Sequence, residues 1–166
     1  MKKPFTPDYL LNSYSELTVD FLRKHNIKAL ILDIDNTLVP YEVARPTREL
    51  KDWFASLNEA DIKVSFVSNN NSDRVNIFNE ELSYFATCKS KKPFNVNMKR
   101  AIKEMGVTPK ETAVMGDQIF TDILAGNSLG AFTVLVPPIK DKTDPFTRFK
   151  RLLERPILNR IKKKGN

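Results

Sequence analysis

Short apolar runs alternate with helix-like segments along most of the chain, and this alternation restricts the fold more than any other feature. The runs are continuous and rich in Val, Ile, Leu and Phe, as is typical of strands buried on both faces. Strands that alternate with helices are joined by right-handed crossovers, so we expect a parallel sheet covered on both faces. The predicted strands are Lys28–Ile34, Ile62–Val67, Tyr84–Thr87, Thr112–Met115 and Ala131–Val136.

The helical patterns between these strands carry start and stop signals such as an early proline or a terminal glycine. They predict helices over Pro46–Ala60, Ser72–Leu82, Asn95–Glu104 and Ile119–Leu129, and an earlier helix over 14–25. The 166 residues are enough for one compact α/β domain, a Rossmann-like three-layer sandwich. We expect an N-terminal helical segment (1–27) packed on a core (28–138), followed by a basic amphipathic helix or tail (139–166).

The composition limits the cellular setting. Cys88 is the single cysteine, so no intramolecular disulfide forms, and a reducing cytoplasm fits best. No apolar run approaches the roughly 18 residues that a membrane-spanning helix needs. The N-terminal residues lack the apolar stretch of a secretory signal, so we expect none.

Residues with reactive side chains follow four of the predicted strands. Ligands of open parallel sheets bind at the carboxyl ends of the strands, where these residues would meet at one edge. They are Asp33, Asp35, Ser68, Asn69, Lys92 and Asp117.

The segment from Asp33 to Thr37 holds two carboxylates two positions apart. Two such groups on one side of a strand end resist simultaneous ionisation unless a cation offsets their charge. Asp33 could then stay ionised as a nucleophile and metal ligand, while Asp35 exchanges a proton as general acid and base. The other interpretation is a pair of aspartates that cap the following turn.

Three further residues could hold a phosphoryl group. The Ser68 hydroxyl and the backbone around Asn69 lie at a strand-to-helix turn that suits phosphate oxygens, although such residues also serve as ordinary helix caps. Lys92 precedes Pro93, which restricts its backbone, and its ammonium could neutralise phosphate. Alternatively it is one more solvated lysine in a run.

The segment from Gly116 to Asp122 offers two more carboxylates. Asp117 closes its strand, and Asp122 lies about one helical turn further on. Mg²⁺ prefers oxygen ligands, usually one or two carboxylates with waters and substrate phosphate. Asp33 and Asp117 would supply these ligands, with Asp122 in an outer role toward metal-bound water or Lys92.

In this order and spacing, the four clusters resemble the haloacid dehalogenase (HAD) superfamily of phosphatases. The resemblance implies a five-stranded sheet of order 3-2-1-4-5 over residues 28 to 136. It also implies that Asp33 is the nucleophile and Asp35 the acid and base, and that Ser68 and Lys92 bind phosphate. Mg²⁺ would be held by the Asp33 and Asp117 carboxylates and the Asp35 backbone carbonyl.

The chain also resembles the narrower YqeG-type phosphatases of subfamily IIIA, which are related to phosphatidylglycerophosphate phosphatases. The similarity extends over Asp33–Val39, Ser68–Asn70, Lys92–Pro93, Gly116–Asp122 and the basic C-terminus. It implies hydrolysis of phosphatidylglycerophosphate at a membrane surface.

The intervals between the clusters leave room for a small flap around Val39–Arg45 and for no cap domain. Open sites of this kind suit bulky substrates, or they are covered by a neighbouring subunit in an oligomer.

The whole net charge of +7 lies near the C-terminus, since residues 139–166 hold ten Lys or Arg and three Asp or Glu. Apolar residues recur there at helical spacing from Phe146 to Ile161, which predicts a basic amphipathic helix interrupted at Pro156. We expect Phe146–Leu153 to pack its apolar face on the sheet and 159–166 to extend into solvent. Anionic lipid, nucleic acid or an acidic protein could bind residues 146–166, lipid being the favoured partner and nucleic acid the least.

Three other functions fit parts of the pattern. A phosphatase for nucleic-acid ends or small phosphometabolites would use the same residues. A non-catalytic partner-binding module would retain the fold, although the intact acidic residues argue against it. A phosphoacceptor receiver domain would carry its accepting aspartate after the third strand, whereas Asp33 follows the first.

Overall fold

Six parallel strands form one sheet in the computed structural model, which describes residues 3–140 and 145–164. The strands are β1 (Tyr9–Leu10), β2 (Ala29–Leu32), β3 (Lys63–Val67), β4 (Phe85–Thr87), β5 (Thr112–Gly116) and β6 (Phe132–Leu135). Their order across the sheet is β1-β6-β5-β2-β3-β4. The predicted α/β sandwich and the order 3-2-1-4-5 of its five core strands are therefore confirmed.

Strand β1 was not predicted, because two residues are too short to show any periodicity. It joins the edge of the sheet next to β6, with Tyr9 opposite Val134. The Asp8 carboxylate accepts a 2.7 Å hydrogen bond from the backbone N–H of Thr133 and so fixes the register. The N-terminal segment thus contributes a strand as well as a helix.

Six α-helices cover the two faces of the sheet and one end of it. They are α1 (Val19–Lys24), α2 (Arg48–Glu59), α3 (Ser72–Asn79), α4 (Val96–Met105), α5 (Leu124–Leu129) and α6 (Pro145–Lys164). Because side chains alternate along a strand, Leu30 and Leu32 pack with α1, α2 and α3, while Ala29 and Ile31 pack with α4 and α5.

Side-chain caps set where several helices begin. The hydroxyls of Thr18 and Thr47 accept hydrogen bonds from the backbone three residues on, and so start α1 and α2. The prediction of one helix over 14–25 is therefore wrong in detail, since Tyr14–Glu16 is a separate 3-10 turn before the Thr18 cap.

The loop that follows β2 contains no inserted domain. It leaves the strand at Asp33 and enters α2 at Arg48, with two short turns, one where the Thr37 N–H donates to the Ile34 carbonyl and one where the Val43 N–H donates to the Pro40 carbonyl. Between Asp33 and Arg48 the described residues therefore form only a short irregular loop. Among these residues, no helix is both long and apolar enough to cross a membrane.

Helix α6 corrects two sequence predictions. The side chains of Phe146, Phe149, Leu152 and Leu153 do not pack on the sheet but are 47–68% exposed. A different face of the helix contacts the core, because Ile157 and Leu158 pack against the loop after β5 and the end of β6. The helix also continues through Pro156 instead of breaking there.

Candidate active site

The carboxyl ends of three strands, the two central strands β2 and β5 and the edge strand β4, lie near four charged side chains that meet in one cluster. Asp33 follows β2, Lys92 follows β4, Asp117 follows β5, and Asp122 lies in a π-helical turn (Ile119–Ile123) that leads into α5. The Lys92 ammonium donates to Asp33 Oδ1 at 2.9 Å and to Asp122 Oδ1 at 2.6 Å. Its side chain is only 2% exposed, so this lysine is not a solvated surface residue.

Three carboxylates in this cluster could hold a metal ion. One oxygen from each of Asp33, Asp117 and Asp122 lies within 4.8 Å of the other two. Oxygen-only ligands suit a hard divalent cation. Both oxygens of Asp122 already accept hydrogen bonds, from Lys92 and from the Gln118 backbone, which agrees with an outer role for Asp122.

The Thr37 hydroxyl links two of these carboxylates. It lies 3.2 Å from Asp33 Oδ2 and 3.2 Å from Asp117 Oδ1, and it can donate to either. Thr37 is 1% exposed and lies four positions after Asp33, in the turn that follows β2. Thr37 therefore holds the two strand-end carboxylates at a fixed separation.

The protonation of this cluster depends on burial and on mutual repulsion. Burial raises the pKa of Asp117 to about 7, and the charges of Asp33 and Asp122 add to this while Arg151 opposes it. Burial also raises the pKa of Asp33, against the effect of the Lys92 ammonium. Burial alone would lower the pKa of Lys92, but the Asp122 and Asp33 charges raise it above its usual value. A divalent cation would offset the excess negative charge.

Asp35 points to a different set of partners. Its Oδ1 accepts from Arg74 Nε at 3.0 Å, and its Oδ2 accepts from Asn70 Nδ2 at 2.8 Å. The Arg74 and Asp35 side chains are each 11% exposed. Asp35 is thus held beside the cluster of Asp33 without contacting Lys92, so the two aspartates have distinct surroundings.

A small polar cavity of about 220 Å³ opens above these groups. Ser68 and Asn69 line it at the end of β3, together with Lys92. The Asn69 Oδ1 accepts a 2.8 Å hydrogen bond from the Lys92 backbone, so Asn69 positions the lysine loop. The cavity also contains Asp33, Asp35, Asn36, Tyr41, Asn70, Gln118 and Thr121. The structure therefore brings the predicted phosphate-binding residues to one opening.

Gly116 makes room for Asp122. A Cβ atom at Gly116 would lie 2.2 Å from the Asp122 carboxyl carbon, well inside the contact limit. The glycine is needed because the turn after β5 folds the Asp122 side chain directly against the strand. This close approach lets Asp122 reach Lys92.

Helix α6 reaches the site through two residues that sequence analysis did not single out. The Arg151 guanidinium donates to the Asp117 carbonyl oxygen at 2.7 Å and contacts Asp117 Oδ2. Glu154, 1% exposed, accepts hydrogen bonds from the backbone N–H groups of Ile119 and Phe120. The C-terminal helix is therefore fastened to the loop that carries Asp117.

Other residues missed by sequence reasoning are Asn70 and Arg74, the partners of Asp35. Asn70 lies within the motif around Ser68, which could have drawn attention to it. Arg74 and Arg151 gave no signal, because each is one arginine in an ordinary amphipathic helix.

The chain is similar to known phosphatases. A family model described as mitochondrial PGP phosphatase matches residues 1–139. The chain is 39% identical to the probable phosphatase YqeG of Bacillus subtilis, over 100% of this chain and 96% of that protein. It is 30% identical to phosphatidylglycerophosphate phosphatase 1, chloroplastic/mitochondrial, of Arabidopsis thaliana, over 88% of this chain and 45% of that protein.

A solved structure supports the fold. The cobalt-bound form of deoxy-D-mannose-octulosonate 8-phosphate phosphatase from Haemophilus influenzae has a TM-score of 0.51 and 18% identity. The likeness covers 79% of this chain and 89% of that one. From the match to the family model and the similarity to YqeG, the chain belongs to the mitochondrial PGP phosphatase family and is a phosphatase of HAD type.

Proposed function

We propose that this protein is a Mg²⁺-dependent phosphomonoesterase that forms an aspartyl-phosphate on Asp33. The observation that carries this proposal is the group of Asp33, Asp117 and Asp122 oxygens within 4.8 Å of one another, with the Lys92 ammonium beside them. A nucleophilic carboxylate next to a fixed ammonium, and close to ligands for a divalent cation, is suited to phosphoryl transfer.

Asp33 would attack phosphorus through a carboxylate oxygen, while the bond to the ester oxygen breaks. Asp35 would give its proton to the departing alcohol. It would then take a proton from the water that attacks the phosphorus of phospho-Asp33, which releases phosphate and restores the Asp33 carboxylate. Because the two aspartates have different partners, one can remain a nucleophile while the other exchanges a proton.

The transferred phosphoryl group needs positive charge and hydrogen-bond donors around its oxygens. Lys92, Ser68 and the Asn69 amide line the small cavity and would supply them. Asp33, Asp117 and the backbone carbonyl of Asp35 would hold Mg²⁺, with Asp122 outside the coordination sphere. When bound, this ion would offset the charge on the phosphoryl oxygens and orient them for attack.

For the substrate we propose phosphatidylglycerophosphate, presented at an anionic membrane surface. The family and the Arabidopsis relative support a lipid phosphate. The loop after β2 adds no cap domain, so the site is open to a headgroup that remains attached to a lipid. The exposed apolar side chains of α6, which alternate with Arg and Lys, suit the boundary between headgroups and acyl chains.

The catalytic part of the proposal is tested with Asp33→Asn. We expect this variant to fold but to lose phosphate release by at least about a thousandfold, because an amide oxygen is a poor nucleophile. Asp52→Asn, at an exposed position of α2, is the matched control and should retain wild-type turnover. Turnover by Asp33→Asn close to that of the control would refute the nucleophile assignment.

The substrate is tested by comparing phosphate release from phosphatidylglycerophosphate vesicles, 5′-phosphorylated oligonucleotides and sugar phosphates. We expect the highest kcat/KM for the lipid. Preference for either of the other two would overturn the lipid assignment and leave the phosphatase chemistry intact.

The membrane surface is tested by removing residues 159–166. The shortened chain should sediment less with vesicles that contain anionic lipid, since it loses four of the basic residues near the C-terminus. Unchanged sedimentation would show that this segment does not attract the membrane.

A further inference from the structure

A second, much larger cavity lies beside the small catalytic one. This α6 groove, of about 850 Å³, runs between helix α6 and the edge of the sheet formed by β1 and β6. Its sheet-side wall is mainly apolar: it is formed by Leu10, Leu11, Leu135, Val136, Pro137 and Pro138, with Asn12 and Asp117 as its polar members. A concave apolar surface of this size is large enough for a small-molecule ligand.

The apolar wall of the α6 groove has few free backbone N–H groups that could bind a peptide strand. Pro137 and Pro138 have no backbone N–H. The Leu11 N–H donates to the Leu135 carbonyl at 3.1 Å, and the Val136 N–H donates to the Gly116 carbonyl at 3.1 Å. An added strand would leave its own backbone groups unpaired here, whereas a hydrocarbon chain has no such groups to satisfy.

The helix side of the groove carries a row of cations. Arg148, Arg155 and Lys162 line it at intervals of seven residues, or about 10 Å along the helix. All three are exposed, and none is ion-paired with any residue that the structure describes. The groove thus combines an apolar wall with unneutralised positive charge, which matches an anionic amphiphile.

The groove borders two different parts of the molecule. Asp117, which belongs to the catalytic cluster, lines one part of it. Phe149 and Leu152, 58% and 57% exposed, line another and belong to the apolar surface of α6. A lipid lying in the groove would therefore contact both the surface that we propose contacts the membrane and Asp117 of the acidic cluster.

We propose that the α6 groove binds an acyl chain of an anionic glycerolipid, with a cation of the row Arg148, Arg155 and Lys162 facing its headgroup phosphate. This inference rests on the proposed lipid substrate, and it adds the site that would bind the acyl chain of that substrate. The chain lies along the wall from Leu10 to Pro138, and the terminal phosphomonoester reaches Asp33 in the neighbouring cavity.

The test uses myristoyl-lysophosphatidylglycerol, a single-chain lipid without the terminal phosphomonoester, so that binding is measured without turnover. It is titrated into the full-length protein below its micellar concentration and followed by calorimetry. We expect saturable binding that is at least about a hundredfold tighter than that of deacylated glycerophosphoglycerol, because burial of the chain supplies most of the affinity. Equal binding of the two would overturn the proposal.

Substitutions then locate the site. Leu10→Asp and Leu152→Asp place a charge in the groove at side chains 38% and 57% exposed, where folding tolerates the change. Each should weaken lysolipid binding at least about tenfold. Ile77→Asp, at a 42% exposed position of α3 away from both cavities, is the matched control and should bind as the wild type does.

The cation row is tested with Arg155→Gln. It should weaken binding of myristoyl-lysophosphatidylglycerol more than that of the zwitterionic myristoyl-lysophosphatidylcholine, whereas Arg23→Gln on α1 should change neither. If none of the groove variants changes the affinity for lysolipid, the lipid binds adventitiously elsewhere and the proposal is wrong. A second outcome would also overturn the proposal: the wild type binds no lysolipid, and Leu152→Asp changes the sedimentation of the protein. The groove would then be occupied by a second copy of this chain and not by a lipid.

Failure of this proposal differs from failure of the proposed function. If the protein releases phosphate from phosphatidylglycerophosphate but does not bind the lysolipid in the groove, the groove assignment is wrong and the chemistry stands. If the groove variants lose lysolipid binding but no phosphomonoester is hydrolysed, the groove stands and the catalytic assignment is wrong.

Discussion

Replacement of Lys92 by Met tests whether the buried ammonium is the cation that stabilises the acidic cluster. The variant removes charge-assisted hydrogen bonds of 2.9 Å to Asp33 and 2.6 Å to Asp122, and keeps the length of the side chain. It leaves three carboxylates whose oxygens lie within 4.8 Å of one another. Breaking one side of a buried ion pair typically costs about 3–5 kcal/mol.

This loss should depend on pH. Burial raises the pKa of Asp33 in the folded protein, and raises that of Asp117 to about 7. Carboxyls with a raised pKa stabilise the fold at low pH, where they are neutral in the folded and unfolded states alike. That contribution is lost as the pH rises through the folded-state pKa. The variant should therefore be weakest relative to wild type near about pH 8, and the difference should narrow near about pH 5.

The assay is urea or thermal unfolding of the metal-free protein. The expected loss corresponds to a fall in Tm of about 6–20 °C for a chain of this size. Lys28→Met is the matched control, since Lys28 pairs with Glu111 at 2.6 Å but its side chain is 66% exposed, and it should cost less than about 1 kcal/mol. Mg²⁺ should stabilise the Lys92 variant more than the wild type, because the ion replaces the missing cation.

A loss for Lys92→Met no larger than that of Lys28→Met at about pH 8 would refute this reasoning. It would mean that the cluster is protonated or hydrated well enough to need no buried ammonium.

Three further predictions concern the loop after β5. Because the pKa of Asp117 is about 7 in the metal-free protein, Mg²⁺ affinity measured by calorimetry should fall about tenfold per pH unit below that value; a flat profile would contradict it. Arg151→Gln should tighten Mg²⁺ binding by about tenfold, since the guanidinium no longer neutralises Asp117; weaker binding would show that Arg151 chiefly positions this carboxylate. Gly116→Ala should displace Asp122 and lower both Tm and kcat, whereas wild-type values would show that the turn adapts freely.

The strands of the core could be predicted because each is a continuous apolar run, and the site residues because they directly follow those runs. The predicted strand boundaries differ from the structure by at most two residues, as for Lys28–Ile34 against Ala29–Leu32. Strand β1 was not predicted, because its two residues carry no periodic pattern and its pairing partner lies far along the chain. The roles assigned to the site residues remain predictions until the variants are measured.

The side chains that complete the site could not be predicted. Asp35 pairs with Arg74 across 39 positions, and Asp117 with Arg151 across 34, and no local periodicity encodes such contacts. The packing of α6 was predicted on the wrong face for a related reason. An amphipathic pattern normally places its apolar side against the core, but here the polar residue Glu154 caps two buried N–H groups and turns that side outward.

The pairing of β1 with β6 has a consequence for synthesis on the ribosome. Tyr9 and Leu10 are translated before the other strands of the sheet, yet they gain their backbone partners only when Val134 and Leu135 have been translated. The Asn127 amide nitrogen, which lies within hydrogen-bond distance of three carbonyl oxygens in the segment that precedes β1, also arrives late. A nascent chain that stops before β6 leaves its leading strand unpaired and the edge of β5 open, so premature termination would yield a species prone to self-association.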